Sequence, residues 1–144
     1  MGKRLILLLV CLAIGAGRQG NTEVLEDTMP KLEIEAGGQT FTAALLDNPA
    51  ARALLEQLPM TVSMEELNGN EKYYYMPNSL PVNAERPGNI HAGDLMLYGS
   101  DCLVLFYESF SSGYSYTRLG SIDDPSGLAA ALGGGNVTVT FQLL

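Results

Sequence analysis

The sequence has 144 residues, of which 47% are hydrophobic and 17% charged, and its formal net charge is −8. The length predicts one domain, and the apolar content argues against a disordered chain, which is poor in apolar residues. The acidic balance argues against nucleic acid as a partner, because an acidic surface repels phosphate backbones.

The first eighteen residues have the composition of a secretory signal peptide. Lys3 and Arg4 form a basic start, and residues 5–14 are an apolar run too short to span a bilayer. Small residues follow and suit cleavage by a signal peptidase. The alternative is a buried N-terminal helix or strand. We therefore predict a signal peptide over residues 1–18 and export to the periplasm, the cell envelope or the medium.

Two modes of export stay open, free secretion and a membrane tether through the N-terminus. Cys11 follows bulky residues that do not suit a lipoprotein leader, and Arg18 stands where a lipidated cysteine would be needed. Cleavage after residue 18 leaves five basic and sixteen acidic residues, a net charge of −11 by that count. Cys102 is then the remaining cysteine, and its apolar surroundings predict a core thiol rather than a nucleophile.

Residues 19–30 are polar and are predicted to be a flexible tether before a domain over residues 31–144. Apolar and polar residues alternate on both sides of Gly37-Gly38, which predicts a β-hairpin with a two-residue turn. Asn48-Pro49 then predicts the start of a helix, because Asn caps free amides and Pro suits the first helical position. Pro59 is predicted to end that helix.

The remaining elements are predicted from period-two alternation and turn residues. Residues 68–92 are rich in loop residues. The predicted strands cover 60–64, 93–98, 102–108, 114–122 and 137–143, with strand propensity also at 73–75, a loop at 109–113 and a short helix starting at Asp124-Pro125. About eight strands and two short helices predict a closed β-barrel or a β-sandwich, and closure has the advantage of removing exposed strand edges.

Several segments of the chain carry a family resemblance. They are Tyr-Tyr-Tyr at 73–75, Pro-Asn at 77–78, Pro-Gly-Asn-Ile-His-Ala-Gly-Asp at 87–94, Leu-Val-Leu-Phe-Tyr-Glu at 103–108, Tyr-Ser-Tyr-Thr-Arg-Leu-Gly at 114–120 and Asp-Asp-Pro-Ser-Gly-Leu at 123–128. Over residues 31–143 the chain resembles a bacterial family described as cyclophilin-like fold proteins. The resemblance implies a closed eight-stranded β-barrel with helices closing its ends, and it implies frequent export. Some relatives are joined to flavodoxin-like domains, which implies an association with redox proteins.

The resemblance does not extend to the residues of a prolyl isomerase. True cyclophilins carry a catalytic arginine in a Phe-His-Arg segment that is followed by Gln-Gly-Gly, and this sequence has neither. We therefore predict a non-catalytic module of the cell envelope that binds a peptide or a small molecule without a cofactor. The alternative is a divergent peptidyl-prolyl isomerase or an accessory to a redox partner.

The candidate ligand site is a predicted strand face that carries Tyr114, Tyr116 and Arg118. A guanidinium between two tyrosine rings can bind a carboxylate or a carbonyl. Ser111 and Ser112, in the preceding loop, would present hydroxyls at its edge. The alternative is a solvated arginine that stacks on the tyrosine rings and pairs with an acidic neighbour.

The other clusters of polar residues predict no metal site and no catalytic set. His91 and Asp94 form half of a metal site at most, because the sequence has a single histidine. Asp123-Asp124 is predicted to cap the second helix rather than to bind calcium, which needs six or more oxygen ligands. The sequence does not predict the oligomeric state.

Overall fold

A computed structural model describes residues 29–144 of the chain. The predicted signal peptide and all but the last two residues of the predicted tether lie outside the described residues. The elements are β1 (Leu32–Ala36), β2 (Gln39–Leu45), α1 (Pro49–Leu55), β3 (Met60–Leu67), β4 (Glu71–Tyr75), β5 (Gly88–Ile90), β6 (Asp94–Tyr98), β7 (Cys102–Phe106), β8 (Phe110–Ser112), β9 (Thr117–Ile122), α2 (Leu128–Leu132) and β10 (Val137–Leu143). None of the helices described is long and apolar enough to cross a bilayer.

Eight of the strands form a closed antiparallel barrel. Its strand order is β1-β10-β3-β4-β7-β6-β9-β2, and β5 and β8 pair separately in a two-stranded sheet. The predicted closed eight-stranded barrel is therefore confirmed. Ile34 lies opposite Phe41 on one side and Phe141 on the other. All three are buried in the core that fills the barrel, as period-two alternation requires.

The two helices pack on the same core. The Asn48 side chain accepts a hydrogen bond from the Ala51 amide at 2.8 Å, so the predicted cap of α1 is confirmed. The prediction for α2 was wrong at its start, because that helix begins after Gly127. The Asp124 carboxylate accepts a hydrogen bond from the Ser126 amide instead, which holds a turn ahead of the helix.

A bulge in β9 sets the direction of its side chains. Leu95 pairs with Gly120 and Met96 pairs with Arg118, so Leu119 is the extra residue. A Cβ atom on Gly120 would collide with the carbonyl oxygen of Ala44, so β2 and β9 approach this closely only with glycine there.

A second apolar cluster lies on the outer face of β6 and β7, across the barrel wall from the main core. Its buried members are Ile90, Met96, Cys102, Val104, Phe106 and Tyr116. The small β5–β8 sheet contributes Ile90 and Phe110 to it. All five residues of β7 are buried, so this strand is covered on both faces.

A fully buried lysine joins β4 to β3 and to the loop between α2 and β10, on the inner side of the wall. The Lys72 ammonium donates to the Glu66 carboxylate at 2.8 Å and to the carbonyl oxygens of Gly133 and Gly135. The Tyr107 hydroxyl donates to the same Glu66 oxygen at 2.8 Å. Every donor of this buried ammonium therefore has an acceptor, the condition under which a buried charge is tolerated.

Candidate functional site

A groove of about 510 Å³ lies on the outer side of the barrel, beside the second apolar cluster. Its walls come from β4, β7, β8 and the segments that flank them. The lining residues are Leu67, Asn68, Asn70, Glu71, Tyr73, Tyr75, Tyr98, Cys102, Val104, Phe110, Ser111, Ser112, Gly113, Tyr114 and Tyr116. Its volume is within the range of about 300–1,000 Å³ that is usual for small-molecule sites.

Strand β4 supplies one wall through the alternation of its side chains. Glu71, Tyr73 and Tyr75 all line the groove, while the residues between them face the barrel interior. In the β4–β7 ladder Glu71 lies opposite Phe106, and Tyr73 lies opposite Val104. The floor of the groove is therefore the apolar outer face of β7.

The opposite wall is made by β8 and the chain that follows it. Ser112 pairs with Gly88 of β5, and the Ser111 hydroxyl donates to the Asn89 side chain at 3.0 Å. The Ser112 hydroxyl accepts a hydrogen bond from the Tyr114 amide at 3.2 Å. Residues 110–112 are therefore a paired strand, and the prediction of a loop over 109–113 was wrong for these three residues.

Aromatic side chains surround the groove. The Tyr98 ring lies 6.1 Å from that of Tyr114 and 5.7 Å from that of Tyr116, measured between centroids. Tyr116 also meets Phe106 edge to face at 5.5 Å. Such tilted and edge-to-face pairs are the favoured arrangements of aromatic rings, so the tyrosines support one another's positions.

The groove concentrates exposed apolar surface. Eight large hydrophobic side chains of the described residues are exposed. Four of them line the groove, namely Leu67, Tyr75, Tyr98 and Tyr114, at 41%, 64%, 48% and 65% exposure. Exposed apolar side chains that border one groove mark a binding site more often than scattered exposed residues do.

One carboxylate lines the groove. Glu71 is 8% exposed, and its side chain has no hydrogen bond or ion pair with residues 29–144. Its burial, and secondly the negative charge of Glu66, raise the pKa of the Glu71 carboxyl above its ordinary value. The neighbouring Asn70 has a buried Oδ1 atom that also finds no hydrogen-bond partner in this part of the chain.

Comparison with known proteins agrees with the barrel. The model of the Cyclophilin-like family matches residues 34–142. The chain belongs to the Cyclophilin-like family. Among solved structures it is similar to the hypothetical protein AF2241 from Archaeoglobus fulgidus, with a TM-score of 0.55 and 15% sequence identity. That match covers 80% of this chain and 95% of the archaeal one. No curated protein matches the sequence.

The structure of this Cyclophilin-like family member brings together four of the five candidate site residues. Ser111, Ser112, Tyr114 and Tyr116 all line the groove. The predicted strand that was to hold the two tyrosines starts later than expected, at Thr117. Tyr116 instead forms an isolated bridge with Glu85 ahead of β9.

Arg118, the fifth candidate, is not among the residues that line the groove, so the structure does not place it with the other four. Its guanidinium is directed to Glu85, with 3.8 Å between Nε and the carboxylate. Its main-chain carbonyl accepts a hydrogen bond from the Asn48 side chain at 2.9 Å. Tyr116 bonds the main chain of Glu85, and Arg118 faces the Glu85 carboxylate, so both residues lie beside Glu85 and ahead of the bulge at Leu119.

The remaining candidates have structural explanations. The Asp94 carboxylate accepts a hydrogen bond from the His91 amide at 2.9 Å and so holds a turn. Within residues 29–144, no group of three histidine, cysteine or acidic residues is placed to hold a metal ion. Cys102 is buried as predicted, although in the outer cluster, and burial raises the pKa of its thiol to about 11.

Glu71, Tyr75 and Tyr98 line the groove, although they were not predicted from the sequence as site residues. The period-two spacing of Glu71, Tyr73 and Tyr75 was an available signal, because it puts the three on one strand face. Which face of that strand is turned outward depends on the closure of the barrel, which the spacing does not determine.

Proposed function

We propose that this domain is a binding module and that its ligand is a small molecule with an apolar body, held in the outer groove. The observation that carries the proposal is the gathering of exposed aromatic and aliphatic side chains over the buried outer cluster. A ligand placed there removes apolar surface from water, at about 25 cal/mol per Å². A short peptide is the alternative occupant.

The chemistry of the groove supports binding rather than catalysis. The pKa of the Cys102 thiol is about 11, so the reactive thiolate is scarce near neutral pH. Among the described residues that line the groove, none is a lysine, arginine or histidine. A cyclophilin-type isomerase uses an arginine beside its proline pocket, and no such donor lies in this groove.

The test is a screen of small aromatic compounds, read by chemical-shift changes in labelled protein. We expect bound compounds to shift the amides of β4, β7 and β8. The double variant Tyr98→Ala/Tyr114→Ala should weaken binding about tenfold, if each ring contributes about 0.5–1.5 kcal/mol. Arg118→Ala is the matched control, because it truncates a partly exposed side chain near the groove without removing lining surface.

The result that would overturn the proposal is binding that the tyrosine variant leaves unchanged. Binding that only Arg118→Ala weakens would place the site on the neighbouring surface near Glu85. A proline peptide belongs in the same screen, because tighter binding of the peptide than of the compounds would favour the peptide alternative.

We further propose that the domain works outside the cytoplasm. The support is the sequence alone, with its basic pair, apolar run and small residues at the start. Mass spectrometry of the protein from its native host should find a mature chain that begins near residue 19. A mature pool that retains Met1 would contradict export by cleavage.

A further inference from the structure

Within residues 29–144, the groove is lined by many aromatic rings and by a single acidic side chain. Among the described residues that line it, Glu71 alone carries a formal charge near neutral pH. The nearest lysine in the sequence, Lys72, is directed to the other side of the barrel wall and is occupied by Glu66 and two main-chain carbonyls. Glu71 is therefore a carboxylate without a counter-charge among these residues.

A carboxylate in this position is costly to keep ionised. Carboxylates that are almost fully buried are normally paired, since they lose hydration that the protein must replace. Burial, and secondly the negative charge of Glu66, raise the pKa of the Glu71 carboxyl, so the fold itself opposes its ionisation. A positive group in the groove would supply the missing partner.

The rest of the lining is also suited to a positive group. Tyrosine rings attract cations through their negative faces, and Tyr73 and Tyr75 follow Glu71 on the same face of β4. An alkylammonium has three donors and no acceptor. The Glu71 carboxylate supplies the charged acceptor among the residues that line the groove.

The apolar part of the groove limits the ligand in size and character. Leu67, Val104 and Phe110 line it together with the tyrosines, so a body of one ring or a short alkyl chain would be covered. An anion would meet the Glu71 charge with no basic lining residue to offset it, and the net charge of −8 adds to its repulsion.

We propose that the ligand of the groove is a small organic ammonium ion, with its charged group at Glu71 and its apolar body against the tyrosine rings. The inference rests on the proposed binding function and adds the chemical class of the ligand. It also reverses the expectation from sequence, in which Arg118 was to attract a carboxylate.

The test compares three probes that share a phenylethyl body and differ only in the terminal group. They are 2-phenylethylamine, 2-phenylethanol and 3-phenylpropanoate, each titrated against the full chain at pH 7 with chemical shifts as the readout. We expect the amine to bind about tenfold or more tightly than the alcohol, as a charge-assisted hydrogen bond implies. The carboxylate should bind most weakly.

Glu71→Gln is the decisive variant, because it keeps the shape of the side chain and removes its charge. This variant should weaken binding of the amine about tenfold and leave binding of the alcohol unchanged. Glu33→Gln is the matched control: it removes one negative charge from β1, and Glu33 does not line the groove. If Glu71→Gln fails to fold, the ranking of the three probes on the wild-type protein still decides the matter.

The outcomes separate this inference from the function beneath it. Equal binding of amine and alcohol, or an amine affinity that Glu71→Gln leaves unchanged, would overturn the ammonium assignment while the binding function stands. Failure of all three probes to shift any groove amide would overturn both. Tighter binding of a lysine-containing peptide than of the amine would overturn the small-molecule assignment in favour of a lysine side chain.

Discussion

Glu71 and Lys72 are neighbours in the sequence, and their side chains lie on opposite sides of the barrel wall. Glu71 lines the outer groove, whereas Lys72 lies opposite Leu105 and is fully buried on the inner side. The two opposite charges therefore do not neutralise each other. The charge of Lys72 is paired within the fold, whereas no basic residue of the described chain lines the groove beside Glu71.

Removal of the buried ammonium should destabilise the domain. Lys72→Met leaves the carbonyl oxygens of Gly133 and Gly135 without this hydrogen-bond donor and removes one donor to Glu66. Glu66 keeps its hydrogen bonds from the Tyr107 hydroxyl and the Gly69 amide. We expect the free energy of unfolding to fall by about 2–4 kcal/mol, because breaking a buried pair leaves unsatisfied polar groups. Urea unfolding monitored by circular dichroism measures the change.

The control for that variant is an exposed ion pair. Lys31 and Asp123 lie 2.6 Å apart with side chains that are 48% and 43% exposed. Lys31→Met should therefore change the free energy of unfolding by less than about 1 kcal/mol. Equal effects of the two substitutions would mean that Lys72 contributes no more than a surface charge.

The barrel core should respond strongly to truncation of Phe141. This side chain is fully buried between Ile34 and Met60 of the neighbouring strands. Phe141→Ala should cost about 3–5 kcal/mol through lost burial and a residual cavity. Leu143→Ala, two residues later and 54% exposed, should cost less than about 0.5 kcal/mol. A small effect at Phe141 would contradict the register of β10.

Glu71 and Glu66 should give opposite dependences of stability on pH. Burial, and secondly the charge of Glu66, raise the pKa of Glu71 in the folded state. Folding therefore favours protonated Glu71, and its contribution to stability is present below pH 4.5 and is lost as the pH rises through the folded pKa. We expect Glu71→Gln to be more stable than wild type at pH 7, and the difference to shrink towards zero near pH 4.

The Glu66 substitution should behave in the reverse way. Burial opposes its ionisation, but hydrogen bonds from Lys72 and Tyr107 outweigh burial and lower the pKa of Glu66. The contribution of Glu66 to the stability of the fold is present above pH 4.5 and is lost as the pH falls through the folded pKa. Glu66→Gln should therefore be less stable than wild type at pH 7. Thermal unfolding between pH 3.5 and 7.5 measures the stability of both variants. Stability differences from wild type that have the same sign for both variants at pH 7 would contradict the opposite pKa shifts of Glu71 and Glu66.

The Cys102 thiol should react slowly in the folded protein. Burial, and secondly the charges of Asp101 and Glu71, raise its pKa from 9.0 to about 11. In a Cys11→Ser chain, we expect alkylation to rise with pH about a midpoint near 11 when folded, and near 9 in denaturant. Rapid alkylation of the folded chain at pH 7.5 would show that the thiol is accessible and ionised.

Much of the barrel was predictable from local sequence. The alternation at 32–36 and 137–143 and the Gly37-Gly38 turn are short-range patterns, and the structure confirms these elements. The cap at Asn48 is equally local, because the side chain bonds an amide three residues away. Residues 110–112 were predicted as a loop, and they form a strand because they pair with β5, which lies outside the window of the local pattern. The error at Asp124 was itself local, because its side chain bonds the Ser126 amide two residues later and holds a turn instead of the helix start.

The sequence by itself determined the strand content, the apolar faces and the excess of negative charge, since these depend on neighbours within a few residues. The position and the lining of the groove were decided by the tertiary structure alone. Its walls come from residues 67–75, 98–104 and 110–116, which meet only because β4, β7 and β8 are brought together by the closure of the barrel and the pairing of β5 with β8. The same long-range pairing placed Arg118 beside Glu85 and Glu71 in the groove, because the bridge between Glu85 and Tyr116 and the β4–β7 register fix the positions of these residues.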